Sequence, residues 1–307
     1  MKKSLKAAVI GAGKMGSFHA NILKSLPGVK LCALVTKTPT SARIKEKEYK
    51  IPVYTSLLKL FSKHELDFVV ISSPTIYHKT HAIKALENNC HVLIEKPIAV
   101  STAEAEDIIE VEKRVNKKVM IGHIERFNPL IKRAKKLIEK KVLGSIILYE
   151  AERSGTMPKS PKTDVLIDRG IHDFDLFNFL IHERLGKIDC LMQRKLNRKY
   201  DDFAQVRGES VNGTIFNYQT DWLRKDESRE TIIIGDKGEL KINFMNNKLS
   251  IFNDKNPEGK VMEVDKEVNK LEEEIKAFIK CILKDIKVPI STKEGLSALE
   301  IYEACIR

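Results

Sequence analysis

A short apolar segment, Lys6 to Ile10, runs directly into Gly11-Ala12-Gly13-Lys14-Met15-Gly16, and Ser17 to Leu26 follow with helical spacing. Strand, G-x-G-x-x-G, helix is an order that few folds satisfy. Gly11 permits a tight turn, Gly13 lets the backbone approach a pyrophosphate, and Gly16 lets the helix pack closely on the strand. The helix N-terminus, with its unsatisfied N–H groups, then faces the anion. Val29 to Val35 supplies the next strand and completes a βαβ unit. This predicts a dinucleotide site lined by Gly11, Gly13, Lys14, Met15 and Gly16.

The residues just after that second strand read the cofactor. NAD sites usually place an acid there, on the ribose 2′-hydroxyl. Here the positions are Thr36-Lys37-Thr38, and the first acid is Glu46. Thr36 and Lys37, with Arg43 nearby, suit a 2′-phosphate, so the expectation leans towards NADP over NAD.

Strand and helix continue to alternate. Ser41 to Lys50 reads as a helix and Val53-Tyr54 as a strand; Thr55 caps a helix to Lys63. Phe68 to Ser72 is a strand, Lys79 to Glu87 a helix closed by Asn88-Asn89, and His91 to Ile94 a strand. Thr102 to Val115 is a helix and Lys118 to Ile121 a strand. Such alternation predicts a doubly wound parallel sheet. Beyond Gly122 the pattern changes. A helix (Leu130 to Val142), a strand (Ser145 to Arg153) and a long helix (Val165 to Ile181) precede extended segments at 188–197, 202–211, 214–223, 230–234, 238–244 and 248–253. Asp236-Lys237-Gly238 is a hairpin turn. Two helices, Lys266 to Ile286 and Thr292 to Ile306, end the sequence. The expected fold is α/β plus α+β: a Rossmann doubly wound parallel sheet, then helices on an open antiparallel sheet. One face of that sheet would cover the long helix. The other, with apolar alternation at 231–234 and 240–244, would need solvent or a partner subunit.

One strand ends in charge. His91 to Ile94 runs into Glu95-Lys96-Pro97. Charge at the end of an apolar strand is costly unless it is used. Pro97 forces Lys96 into an extended conformation. The ammonium group is thus aimed off the carboxyl end of a strand, where open α/β sheets bind ligands.

A second candidate lies in the long helix. Asp168 and His172 are four apart and Asp175 three further, which places them on one face. Gly170 costs a helix about 1 kcal/mol relative to Ala, which implies a close approach to the backbone. The spacing admits catalysis, a capped helix with surface charges, or a metal site; for the last, further ligands are not evident, and no metal is expected.

Composition removes several classes. Of 307 residues 42% are hydrophobic and 31% charged, as in a soluble globular protein. No apolar run approaches the ~18 residues of a membrane span. The start, Met1-Lys2-Lys3-Ser4, does not read as a signal peptide. Five scattered cysteines fit small core residues of a reducing compartment rather than a disulfide framework. The net charge of +12 is spread in Lys-Glu mixtures and carries no nucleic-acid module; it suits an anionic small substrate.

Taken together, these segments resemble the glucose-fructose oxidoreductase / inositol dehydrogenase (Gfo/Idh/MocA) family of NAD(P)-dependent oxidoreductases. The resemblance rests on Gly11 to Gly16, Ser73-Pro74-Thr75 with His78, Glu95-Lys96-Pro97, Arg126-Phe127-Asn128-Pro129 and Asp168-Arg169-Gly170-Ile171-His172-Asp173. It departs at Asn89, where the family usually has Gly, and at Thr163-Asp164, where Gly-Gly is usual; the second bears on the shape of the substrate pocket. The resemblance implies that Ser73, Pro74, Thr75, His78, Glu95 and Lys96 line the cofactor, with Lys96 beside the nicotinamide and the Lys96-Pro97 bond often cis. It implies His172 as acid/base, Lys96 as the donor to the reacting oxygen, and Asp168 as the group that orients the imidazole or touches a substrate hydroxyl. It implies a discontinuous dinucleotide-binding domain, 1–122 plus 267–307, around a substrate and oligomerisation domain, 123–266. The expected activity is hydride transfer at a sugar carbon. Glu125 to Pro129 resembles the branch acting on UDP-N-acetylhexosamines at C3; a free polyol or sugar dehydrogenase and a non-catalytic dinucleotide sensor are the alternatives. The expected protein is cytoplasmic, a homodimer or homotetramer through its C-terminal sheet, without membrane or nucleic-acid partners.

Overall fold

The computed structural model describes residues 4–264 and 268–307. It divides into two compact units, Met1–His123 with Leu271–Leu296, and Ile124–Lys270 with Ser297–Arg307.

The first unit alternates β1 (Leu5–Ile10), α1 (Lys14–Ser25), β2 (Val29–Val35), α2 (Pro39–Tyr49), β3 (Val53–Tyr54), α3 (Leu57–Lys63), β4 (Phe68–Ile71), α4 (His78–Glu87), β5 (His91–Glu95), α5 (Thr102–Val115) and β6 (Val119–Gly122). The strands form one parallel sheet in the order β3-β2-β1-β4-β5-β6. Helices on both faces bury the central strands, so these read as unbroken runs of Val, Ile and Leu rather than as alternations. Val9, Ile10, Val70, Ile71, Val92 and Ile94 have no exposed surface. Asn89 stands at φ 62, in the left-handed region that favours Gly and that Asn tolerates. Two boundaries differ from expectation. α1 starts inside the fingerprint, with Gly13 as its N-cap, and the cap position of α3 is Ser56 rather than Thr55.

The second unit begins with α6 (Pro129–Glu139), whose N-cap Asn128 accepts a bond from Leu130 N at 3.0 Å. β7 (Ile146–Thr156) and α7 (Ile171–Ile181) follow. Then come β8 (Leu185–Gln193), β9 (Phe203–Ser210), β10 (Ile215–Asp221), β11 (Leu223–Gly235), β12 (Gly238–Asn243), β13 (Lys248–Asn253) and β14 (Asn256–Glu263). Their order is β14-β13-β12-β11-β7-β10-β9-β8. The sheet is antiparallel apart from β7 and β10, which pair in parallel, so it is mixed. A parallel pair needs a long crossover, and α7, β8 and β9 supply it. An aromatic cluster fastens α7 to the sheet: Phe177 and Phe216 are 5.0 Å apart edge-on, and Tyr149 stacks on Phe216 at 5.7 Å. Such pairs add about 0.5–1.5 kcal/mol each beyond their area. Ile233, Leu240 and Ile242, part of the alternation expected to face a partner, are buried within the chain itself. The hairpin turn at Asp236-Lys237 closes on a Gly235–Gly238 pair as expected. β14 was not expected; its Asn, Pro and Gly lower β propensity, and pairing with β13 decides its conformation.

The tail forms α8 (Lys270–Lys284) and α9 (Thr292–Ile306). The expected start of the first tail helix, Lys266, and the expected boundary at 266/267 lie outside the described residues. Of the tail expected to join the nucleotide-binding half, Leu271–Leu296 groups with the first unit and Ser297–Arg307 with the second. All five cysteines are free, with Cys90 and Cys281 buried. Among the described residues, no helix is long and apolar enough to cross a membrane.

Candidate active site

In the first unit, the strand order reverses between β1 and β4, so the loops after these two strands flank a crevice. The glycines have separate duties. Gly11, at φ 100, donates its N–H to Val35 O at 2.9 Å; a Cβ there would lie 2.3 Å from Ser73 N. A Cβ on Gly16 would lie 1.9 Å from Gly11 O. Both positions are closed by the protein's own backbone. Gly13 is different: no heavy atom of the described residues lies within 4 Å of where its Cβ would be. Open space at the start of α1 is what a pyrophosphate approaching the N–H groups requires. The residues present fit a dinucleotide. Lys14 and Met15 are exposed on the first turn of α1.

Thr36 is buried at the end of β2, and its Oγ1 donates to Thr38 O at 3.3 Å. Lys37 and Arg43 are exposed, and Thr38 caps α2 by accepting from Ser41 N at 3.2 Å. After β4, Ser73 Oγ lies 3.0 Å from His81 Nδ1, and Thr75 opens a short 3-10 turn with Pro74 before it. His78 is buried. Its Nδ1 is 2.8 Å from Pro97 O and its Nε2 2.8 Å from Ser73 O, so the ring ties the loop after β4 to the loop after β5. Burial pulls its pKa down and the two carbonyls oppose that, leaving it lowered.

Lys96 follows β5, half-buried, and the Lys96-Pro97 bond is cis. Glu95 Oε1 is 2.6 Å from Nε2 of the fully buried His19 on α1. Burial pushes the Glu95 carboxyl up; His19 and Lys96 outweigh this and hold it below the usual range. The candidate residues of this half (Gly11, Gly13, Gly16, Thr36, Lys37, Ser73, Pro74, Thr75, Glu95 and Lys96) therefore gather at the carboxyl ends of adjacent strands. His19 was not expected among them, because a helix-buried His reads from sequence as an ordinary core residue.

In the second unit, Asp164 caps the segment that carries Asp168 and His172. Its Oδ1 accepts from Ile167 N and its Oδ2 from the Tyr302 hydroxyl of α9, each at 2.8 Å. The expected single helix opens with a π-helical turn, Leu166–Gly170, before α7 begins at Ile171. Gly170 explains itself: a Cβ there would meet Leu166 Cδ1 at 2.8 Å and the Tyr218 ring at 3.1 Å. Asp168 is exposed while His172 is 8% exposed. Asp175, one turn on, is bound by an arginine. Arg126 holds it by two bonds, Nε to Oδ2 at 2.9 Å and a terminal guanidinium nitrogen to Oδ1 at 2.6 Å.

The Glu125 to Pro129 segment is likewise tied inward. Glu125 accepts from Arg229 at 2.9 Å, Lys270 at 3.0 Å and Asn128 at 3.1 Å. Burial raises its carboxyl pKa, and the cations outweigh that and hold it well below the usual range. Asp173, next to His172, is buried; burial raises its carboxyl pKa, and the charges of Arg229 and Arg153 oppose this without overcoming it. The sequence assigns Asp173 no role beyond its place in the motif; its position next to His172 is the available signal.

These features define a nucleotide-binding α/β unit joined to an α/β unit with a mixed sheet. Residues 5–123 match the model for the oxidoreductase family with an NAD-binding Rossmann fold, and residues 135–307 match the C-terminal alpha/beta domain of the same family. The chain belongs to the GFO/IDH/MocA oxidoreductase family. It is 29% identical over 216 residues to scyllo-inositol 2-dehydrogenase (NAD(+)) of Bacillus subtilis, a stretch covering 67% of this chain and 63% of that protein. It is 28% identical over 249 residues to UDP-N-acetylglucosamine 3-dehydrogenase of Acidithiobacillus ferrooxidans, covering 81% and 77%. A solved structure of UDP-N-acetylglucosamine 3-dehydrogenase from that organism superposes with a TM-score of 0.88 at 25% identity, covering 99% of this chain and 97% of the other. For a third relative, 2,7-anhydro-N-acetylneuraminate hydratase of Mediterraneibacter gnavus, the match covers 50% of that protein's length.

Proposed function

We propose that the protein is an NAD(P)-dependent dehydrogenase that oxidises a secondary hydroxyl of a sugar, with C3 of a UDP-N-acetylhexosamine as substrate. One observation carries the reading: Lys96 leaves β5 between two tied neighbours, Glu95 on His19 and Pro97 on His78, in the sheet whose glycine loop leaves room at Gly13. Support for the substrate comes from the likeness to UDP-N-acetylglucosamine 3-dehydrogenase over most of both chains, and from the net charge of +12.

The cofactor supplies the hydride acceptor. The chain must hold the hydroxyl, take its proton and stabilise the charge that develops. His172 takes the proton, since an imidazole is a side chain that can both accept and return one. Lys96 donates to the reacting oxygen, and Asp168 orients the imidazole or a substrate hydroxyl. Gly11 to Gly16, Thr36, Lys37 and Ser73 to Thr75 hold the dinucleotide, with Lys37 favouring NADP. The domain roles follow the same reading: residues 1–122 with the tail bind the dinucleotide, and 123–266 bind the sugar. The protein acts in the cytoplasm as a homodimer or homotetramer through its sheet.

The test follows absorbance of reduced nicotinamide with each cofactor against UDP-sugars, inositols and free hexoses. Lys96→Ala and His172→Ala are each expected to lower kcat by about 10²–10⁴. Wild-type turnover in both, with cofactor binding intact, would sink the mechanism. Turnover of inositols alone favours the second reading, a free polyol dehydrogenase, which the inositol-dehydrogenase relative motivates. Cofactor binding with no turnover of any substrate favours a dinucleotide sensor.

A further inference from the structure

Arg153 and Arg229 stand directly opposite each other where β7 pairs with β11. Opposite residues of an antiparallel pair lie on one face of the sheet. Here it is the covered face. Tyr149 and Ala151 on β7 and Thr231 and Ile233 on β11 share it, and all four are buried. Helix α7 lies over it: Phe177 meets Tyr149 edge-on at 5.4 Å, and a Cβ on Gly170 would touch the ring of Tyr218, the partner of Ala151 on β10. Going from Phe177 back to Gly170 thus follows β7 from Tyr149 to Ala151 and on towards Arg153. The arginine pair belongs to the end of α7 that carries His172. Two guanidinium groups side by side on such a face repel each other and are costly to desolvate.

Arg229 is compensated. Its guanidinium donates to Glu125 at 2.9 Å and lies over the Phe244 ring at 4.1 Å. Arg153 is not. The residue is half-buried with its Nη1 shut off from solvent, and among the described residues that nitrogen has no hydrogen-bond partner and the side chain makes no ion pair. The acids beside the pair in sequence serve other cations, Glu152 with Arg224 and Glu230 with Lys241 at 3.1 Å. Burial, and then the charge of Arg229, lower the pKa of Arg153 against the pull of Asp173 and Glu125. A guanidinium keeps its charge even so. Its fork of donors matches two oxygens of a carboxylate or a phosphate.

We propose that Arg153 is a specificity-determining residue that binds an oxyanion of the substrate, a carboxylate or a phosphate. The assignment rests on reading the second unit as the sugar-binding half. The substrate is then an acidic sugar derivative, and a neutral polyol lacks the group that Arg153 recognises. Arg229, which serves Glu125, is structural.

The test measures binding rather than turnover, with the dinucleotide site filled so that an added anion cannot enter it. Glucuronate, UDP and, as the neutral control, glucose are titrated calorimetrically into wild type, Arg153→Leu and Arg153→Lys. Wild type is expected to bind glucuronate or UDP and not glucose; which of the two binds tells a carboxylate from a diphosphate. Arg153→Leu is expected to weaken that binding about tenfold or more, and Arg153→Lys, which keeps the charge and loses the fork, to recover part of it. No binding of either anion, or binding that Arg153→Leu leaves unchanged, overturns the proposal. A second measurement reads the protein without ligand. Arg153→Leu removes an uncompensated charge and is expected to melt at or above the wild-type Tm, whereas Arg229→Leu strips a cation from buried Glu125 and should melt lower. An Arg153→Leu variant as unstable as Arg229→Leu marks a structural charge and overturns the proposal. Oxyanion binding through Arg153 without turnover of any sugar leaves this assignment standing and removes the dehydrogenase reading; turnover of neutral sugars alone, with no oxyanion bound, does the reverse.

Discussion

Arg126 grips Asp175 through two parallel hydrogen bonds, of 2.9 and 2.6 Å, and both side chains are almost wholly buried. Arg126 comes just before α6 and Asp175 sits in α7, so the pair fixes the start of one helix against the middle of the other. Breaking one side of such a pair leaves a buried charge and costs about 3–5 kcal/mol. Asp175→Asn and Arg126→Met are each expected to lower denaturant-measured stability by about 3 kcal/mol. The double variant should cost less than the sum, and additive losses in the double-mutant cycle would show that the two do not act as a pair.

Asp202 offers a test by pH. Its carboxylate accepts the backbone N–H groups of Lys195 at 2.9 Å and of Leu196 and Asn197 at 2.6 Å, closing the turn between β8 and β9. Burial pushes its carboxyl up, and the backbone donors outweigh this and hold it below the usual range. A pKa lower in the folded than in the unfolded chain contributes stability above the unfolded value, ~3.9. That contribution fades as pH falls through the folded value. Asp202→Asn is therefore expected to cost about 2 kcal/mol at pH 7, and the gap to wild type should close in acid. Urea melts from pH 7 down to pH 3 measure it; a gap that is constant with pH would mean that the charge contributes nothing.

The parts read correctly from sequence are those where one local rule decides. The Rossmann strands were visible because burial on both faces writes a continuous apolar run, as in Val69 to Ile71. Lys96 was visible because a charge at the end of such a run is conspicuous. The parts not read depend on distant partners. Nothing local announces that β7 pairs in parallel with β10, or that Arg126 holds Asp175. The π-helical turn before His172 is equally silent, since Leu166 to Gly170 has ordinary helical spacing; the Tyr218 ring, a residue far along the chain, joins Leu166 in closing the space at Gly170.

The choice of cofactor has a single-residue test. Lys37 is exposed after β2, and no acid stands between Thr36 and Glu46 to take a ribose 2′-hydroxyl. A charge-assisted contact to a 2′-phosphate contributes about 1.5 kcal/mol or more, roughly tenfold in Kd. Lys37→Ala is expected to weaken NADP about tenfold and to leave NAD unchanged in fluorescence titrations. Equal loss for both cofactors, or a wild-type preference for NAD, would rule out the 2′-phosphate role.

Gly11 and Gly13 are two residues apart and should fail in opposite ways. Gly11 combines φ 100 with a Cβ position 2.3 Å from Ser73 N, so an alanine must displace backbone. Strain of that kind costs about 1–3 kcal/mol before any clash is relieved, and Gly11→Ala is expected to lower Tm by several degrees. Gly13 has φ −75 and open space at its Cβ, so Gly13→Ala should fold with little change. The methyl group would then stand where the pyrophosphate must approach, and dinucleotide binding should weaken by about tenfold or more while Tm without cofactor stays put. Calorimetric Tm and titration Kd, measured on both variants, separate the two duties. A Gly13→Ala variant that binds NAD and NADP as wild type does would mean that the space beside Gly13 is not where the pyrophosphate lies.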